Sequence, residues 1–146
     1  LKKTLDDLDS DKVQLLLDNI IECWKNNNTI YICGNGGSAG NANHIANDLL
    51  YGAGLTNGIG IHIESLSVNP SVITCLANDV GYDSIFSEQL AVLANPNDII
   101  ITLSGSGNST NIVSEKDNEK TDDMKPSFRE WLYLFLILLI GTGYNW

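Results

Sequence analysis

The sequence predicts an α/β domain, a three-layer αβα sandwich built on a parallel sheet of the doubly wound type. Three observations lead there. TIYIC at 29–33 and DIIITL at 98–103 are apolar throughout, the pattern of short strands buried on both faces. Such runs alternate with stretches of helical spacing, as in a parallel sheet covered by helices. Each of these two runs also ends in a glycine-rich loop that leads into a helix, at the strand end where open α/β sheets bind ligands.

The elements follow in order. Ser10 can cap a helix reaching about residue 27, with Val13, Leu16, Leu17, Ile20, Ile21 and Trp24 as its apolar stripe and Asn26-Asn27-Asn28 as its end. The strand 29–33 comes next, then the loop GNGGSA and a helix from about 39 to 51. GIHIESL around 60–66 reads as a second strand. Asn69-Pro70 opens a further helix through Cys75, Leu76 and Ala77, since proline suits a first helical turn. DSIFSEQLAVLA, roughly 83–94, is another, broken by Asn95-Pro96-Asn97. After the strand 98–103 comes SGSGNS, and a helix is expected to start near Ser109.

Charge narrows the ligand. The 146 residues carry a formal net charge of −10. That disfavours nucleic acid and anionic membrane surfaces, both of which are bound through cations. No lysine or arginine lies between Lys25 and Lys116. An anion held there must therefore rely on backbone N–H groups, hydroxyls, amides and helix N-termini. The loop SGSGNST adds the hydroxyls of Ser104, Ser106, Ser109 and Thr110, a set suited to a phosphate monoester. Each loop taken alone reads equally as a tight turn capping a helix. Neither fits the dinucleotide fingerprint, and neither carries the lysine of a P-loop.

Three cysteines without metal-type spacing, and a start without an apolar signal-type core, suggest reduced thiols and a cytoplasmic protein. The run WLYLFLILLI at 131–140 is about half the ~20 residues of a membrane helix. His44 and Asp48 lie four apart and share a helix face. They could be two ligands of a divalent metal, an acid–base pair at a substrate, or a helix-surface pair. His62, within an apolar strand, reads as a packed or strand-edge residue. Asn78 and Asp79 could close a helix or reach a sugar hydroxyl.

GNGGSAGNANHIANDLL, SLSVNPSVITCLANDVGYDSIFSEQL and ITLSGSGNSTNIV resemble, in order and spacing, the phosphosugar-binding SIS domain. Within it they are similar to the sedoheptulose 7-phosphate (phosphoheptose) isomerases. The likeness runs from about residue 10 to 113. It implies a parallel sheet between helices, a homotetramer, and interconversion of sedoheptulose 7-phosphate with D-glycero-D-manno-heptose 7-phosphate through an enediol, an early step towards the heptose of lipopolysaccharide. It further implies that Asn35, Gly36, Gly37 and Ser38 contact substrate, and that Ser104, Gly105, Ser106 and Ser109 cradle the phosphate. Asn78 and Asp79 would bind the sugar chain. His44 matches a Zn2+ ligand, and Asp48 the acidic position that is both catalytic base and metal ligand. Many members carry glutamate there, one methylene longer.

The family places a glutamine and a histidine on a later helix. Here no histidine follows His62 and no glutamine follows Gln89. The expectation is thus a partial SIS domain over 1–113, incomplete at its carboxyl side, and a divergent tail over 114–146, polar through 114–123 and then aromatic-rich. The second reading is a non-catalytic SIS protein that binds a phosphosugar or a partner protein.

Overall fold

The structure, a computed structural model, describes residues 9–52, 54, 58–113 and 133–134. The polar run 114–123 and nearly all of the aromatic tail lie outside the described residues. Helix α1 spans Ser10–Lys25. Strand β1 is Ile30–Gly34, and helix α2 is Gly37–Asn47, extended by a wider π-type turn over Asp48–Gly52. Strand β2 is Ile63–Ser65 and helix α3 Pro70–Asp79. A 3-10 turn at Tyr82–Ser84 precedes helix α4, Ser87–Leu93. Strand β3, Ile99–Leu103, leads to a short helix α5, Thr110–Val113. Tyr133–Leu134 form β4.

The sheet order is β2-β1-β3-β4, and every pairing is parallel. Every residue of β1 and β3 is buried, as their unbroken apolar runs require. Alternate side chains feed two cores. Ile30, Ile32, Ile99, Ile101 and Leu103 pack with Cys23 and Ala42, with Ile20 and Trp24 of α1 against them. Tyr31, Cys33 and Ile100 pack on the other face with Ile85, Phe86, Leu90 and Ile112. Helices on both faces make the three-layer sandwich.

Several boundaries differ from the sequence reading, each for a local reason. Asp9 caps α1 in place of Ser10. Its carboxylate accepts the N–H groups of Asp11 (3.1 Å) and Lys12 (3.4 Å) and adds a negative charge at the positive helix end. Asn27 ends this helix in the left-handed region, φ 57°. The α1 stripe is split, since Ile20 and Trp24 reach the core while Leu17 and Ile21 stay 47% and 42% exposed. Helix α2 starts earlier than expected and widens at Asp48. There the Leu49 carbonyl accepts Ile61 N–H at 3.0 Å, and Gly60 lies so close to Leu50 O that a Cβ would sit 1.7 Å from it. β2 is shorter than 60–66 and alternates, with Ile63 and Ser65 buried and Glu64 exposed, as suits an edge strand. His62 is exposed ahead of it, its carbonyl accepting Ile30 N–H at 2.8 Å. The helix expected over 83–94 is a 3-10 turn followed by α4. Beyond Val113, where the βα rhythm was expected to stop, Tyr133 and Leu134 pair with Ile100 and Ile101. Ladder bonds use the backbone, so side-chain composition gave no sign of it.

At the amino edge of the sheet one buried carboxylate joins the start of β1 to the turn before β3. Asp98 accepts Thr29 N–H and Asn95 N–H, both at 2.8 Å. Asp98→Ala is expected to cost about 3 kcal/mol, because two N–H groups lose a charged acceptor. Urea unfolding measures this, and an unchanged midpoint removes Asp98 from that role. Burial, with Asp98 nearby, pushes the Cys23 thiol from 9.0 up to about 11. The neutral thiol therefore contributes stability that is complete below pH 9.0 and fades as pH climbs to about 11. At pH 8 a thiol reagent should modify only exposed Cys75, and slowly, since the hydrogen bond to Asp79 raises that thiol too. Three rapid equivalents without denaturant would contradict the burial of Cys23 and Cys33.

Candidate functional site

The strand order reverses between β1 and β3. From β1 the chain moves outward to β2, then crosses back to place β3 on the other side of β1. A crevice forms at such a switch point, outside the carboxyl ends of the two strands. Gly34 is paired with Leu103, the last residue of each strand. Residues 35–37 and 104–106 therefore leave the sheet side by side, and both glycine-rich loops flank one crevice.

The first loop is built by close approach. A Cβ on Gly34 would lie 2.8 Å from Ser38 backbone and side-chain carbons and 2.9 Å from Leu103 O. Gly36 turns the chain with φ 53° and ψ −118°, a conformation closed to L side chains. Asn35 O then accepts Ser38 N–H at 3.0 Å and Ala39 N–H at 3.4 Å, starting α2. No side chain caps this helix, and with the Ser38 and Ala39 N–H groups engaged by Asn35 O, the Gly37 N–H and the partial positive charge of the helix end remain for the crevice. Ser67 braces the turn from the β2 side. Its Oγ accepts Gly34 N–H at 3.1 Å and donates to Gly34 O at 2.9 Å. Ser65 in turn donates to Asn43 Oδ1 of α2 at 2.6 Å.

The second loop folds on its own hydroxyls. Ser104 Oγ accepts Gly107 N–H at 3.0 Å and lies 3.4 Å from Ser109 Oγ. Ser106 Oγ accepts Asn108 N–H at 3.2 Å and keeps its own hydrogen to donate. Gly107 supplies the left-handed turn, φ 69°. Gly37 and Gly105 are different. Neither has a positive φ, and a Cβ on either would meet nothing within 4 Å. The chain's own packing does not require glycine at these two places, which border the crevice.

Polar side chains clasp the loops together. Asn35 Nδ2 donates to Asn111 Oδ1 at 2.8 Å, and Asn111 Nδ2 returns a bond to Asn35 Oδ1 at 2.9 Å. Tyr82 Oη donates to the same Asn35 oxygen at 2.9 Å. Thr110 Oγ1 donates to Asp83, tying the 82–84 turn to the second loop as well. Asn111, Tyr82, Asp83 and Ser67 were not expected from the sequence. Their partners lie 27 to 76 residues away, so no local spacing marks them.

Asn35, Gly36, Gly37 and Ser38 thus share one crevice with Ser104, Gly105, Ser106 and Ser109. His44 and Asp48 follow about two and three turns further along α2. Their side chains meet each other, Nε2 to Oδ2 at 3.4 Å, and are 76% and 60% exposed. Asp48 stands about 16 Å along the helix from Gly37 at the usual rise per residue. Zinc takes three or four protein ligands. Among the described residues no group of three histidine, cysteine, aspartate or glutamate side chains gathers, so this pair alone does not fit a complete zinc site. Asn78 donates to Asp79 at 2.7 Å and Cys75 to Asp79 at 3.4 Å, on the exposed end of α3 just ahead of the Tyr82 turn. Those bonds hold the Asp79 carboxyl below its ordinary value, the Asn78 amide contributing most. A shallow groove of about 390 Å³ at the opposite edge is lined by Asn19, Cys23, Asn97 and Asp98 among others. Its carboxylate is already committed to Thr29 and Asn95.

Residues 1–125 match the model of the SIS domain. The chain is 38% identical over 125 residues to a phosphoheptose isomerase of Helicobacter pylori, covering 86% of this chain and 64% of that one. It is 43% identical over 94 residues to the phosphoheptose isomerase of Aliarcobacter butzleri, 64% of this chain and 49% of that one. It therefore spans roughly half to two thirds of the length of these relatives. The structure of the phosphoheptose isomerase from Neisseria gonorrhoeae superposes with TM-score 0.67 at 31% identity, over 77% of this chain and 56% of that one. That from Francisella tularensis gives 0.70 at 29%, over 77% and 58%.

Gly34→Ala and Gly36→Ala probe the first turn separately. The former meets backbone atoms at under 3 Å, and the latter forces a side chain into a glycine-only conformation. Each is expected to destabilise by about 1–3 kcal/mol. Thermal unfolding checks both, and a neutral result at either position contradicts the turn geometry described.

Proposed function

Because the chain belongs to the SIS-domain family, we propose that its switch-point crevice binds the phosphate of a phosphorylated sugar, and that the chain derives from an aldose–ketose isomerase acting on sedoheptulose 7-phosphate. The observation that carries this reading is the pair of loops, glycine-open at Gly37 and Gly105 and set in a stretch, 26–115, without lysine or arginine. In a chain of net charge −10, an anion needs a local field. The uncapped N-terminus of α2 and the serine hydroxyls offer one without a compensating lysine. Ser104, Ser106 and Ser109 would donate to phosphate oxygens, with the Gly105 N–H. Asn35, Gly36, Gly37 and Ser38 would meet the near end of the sugar. Asn78 and Asp79, carried towards the crevice by the Tyr82 turn, would meet its hydroxyls.

Isomerisation moves a proton between adjacent carbons through an enediol and needs a base at the carbon. Asp48 is the candidate. At about 16 Å along α2 from Gly37, it would act on a sugar held by another copy of the chain rather than by its own loops. This agrees with the homo-oligomer implied by the resemblance. It also agrees with Leu17 and Ile21 of α1, which share one helix face and stay 47% and 42% exposed. His44 and Asp48 would furnish two zinc donors and need at least one more from outside the described residues. A homotetramer in the cytoplasm belongs to the same proposal. No described helix is long and apolar enough to cross a membrane.

Calorimetric titration with sedoheptulose 7-phosphate, and with unphosphorylated sedoheptulose as control, tests the reading. Binding is expected only for the phosphate ester, strengthening as pH rises through about 6, where the second phosphate proton leaves. Gly105→Ala should retain the melting temperature and lose affinity at least about tenfold, since its Cβ enters space that only a ligand fills. Equal binding of both sugars, or an unaffected Gly105→Ala variant, would overturn the phosphate cradle. Binding without interconversion of the two heptose phosphates would favour the non-catalytic reading.

A further inference from the structure

The amide pair between the loops has a role that stability alone does not account for. Asn111 is 2% exposed, yet it lies on a four-residue helix and spends its side chain on one partner. Two antiparallel bonds of 2.8 and 2.9 Å between planar amides fix separation and orientation together, as a single bond cannot. Asn35 follows directly on Gly34, and Asn111 follows Ser109 by two residues. The pair therefore locks the first loop to the base of the serine loop. Tyr82 adds its bond to the same Asn35 oxygen, and Asp83 holds Thr110, so the 82–84 turn is bound to both sides.

We propose that Asn111 is a positioning residue. Acting through Asn35, it sets the distance and angle between the two loops, so that the positive N-terminal end of α2, with the Gly37 N–H, and the serine hydroxyls converge on one point before any ligand arrives. Such preorganisation spares the ligand the cost of ordering the loops. A buried asparagine that served only the core would alter stability without altering loop geometry. For its ligand the inference rests on the phosphosugar reading. For the clasp itself it does not.

The test uses the full chain as Asn35→Ala, Asn111→Ala, the double variant and Tyr82→Phe. Hydrogen exchange by NMR needs no ligand. Exchange at the amides of residues 36–39 should rise about tenfold in Asn111→Ala relative to those of β1, the change equivalent to about one net hydrogen bond. Tyr82→Phe, which removes only the hydroxyl of a half-exposed ring, should give a smaller rise at the same amides. It keeps the test open should Asn111→Ala fail to fold. In titration with sedoheptulose 7-phosphate, Asn111→Ala should weaken binding about tenfold, Asn35→Ala at least as much, and the double variant should be no worse than Asn35→Ala alone. Additive losses in the double variant, or exchange that rises uniformly across the sheet, would overturn the positioning role. If wild-type chain binds no sedoheptulose 7-phosphate, the phosphosugar reading fails. The exchange measurement then decides the clasp by itself.

Discussion

The pairing of β1 with β3 governs everything at the carboxyl edge of this sheet. Parallel strands lie about 4.8 Å apart. Pairing Gly34 with Leu103 therefore delivers two chain segments, seventy residues apart in sequence, to the same place with their next residues adjacent. Each segment must then turn sharply to begin a helix. Both turns do so with glycine and hydroxyl residues. Had β3 followed β2 on the same side of β1, the loops would be separated by a strand and no crevice would join them. The two hydrophobic cores hold this order, since β1 and β3 are buried on both faces and cannot slip by one residue without exchanging their sides.

Electrostatics give the crevice its character. The chain is strongly acidic, and the described residues around the loops bring no lysine or arginine. Attraction for an anion must be short-ranged, made by oriented dipoles at contact rather than by a field reaching into solvent. That favours a ligand whose non-ionic part also contributes, since oriented N–H and O–H groups alone provide modest net binding. A phosphorylated polyol has that composition, whereas free phosphate does not. The same logic explains why the loop-to-loop clasp is made of amides and hydroxyls. A charged clasp would carry its own field into the space an anion is to enter.

Much of this was legible in the chain, and the reasons differ by feature. The buried strands announced themselves because a fully covered strand has no polar face. The glycine loops did so because their position after such strands is diagnostic of α/β sheets. Helix ends were less legible. Asp9 and Ser10 are both capping residues, and only geometry chose between them. The widening at Asp48 depends on Gly60 and Ile61 packing against Leu49 and Leu50, a tertiary contact without local signal. The site showed the same division. The loop residues proposed to contact a ligand were visible as motifs, while Asn111, Tyr82 and Ser67, which bond to partners far along the chain, were not. His44 and Asp48 were visible as a helical pair, but their spacing said nothing of how far they stand from the loops.

The glycines separate folding from function more sharply than the polar residues do. Gly34 and Gly60 are required by backbone contacts within the chain, and Gly36 by its dihedral angles. A molecule that bound nothing would still need all three. Gly37 and Gly105 meet no such demand, and glycine costs backbone entropy wherever it stands. Alanine at Gly37 would even favour the first turn of α2. Two glycines that the fold does not require, one beside each of two adjacent strand ends, are therefore best explained by something outside the chain that must come close to the backbone there. The Asn35–Asn111 pair completes that argument from the other direction. It holds rigid the two walls that these glycines keep open.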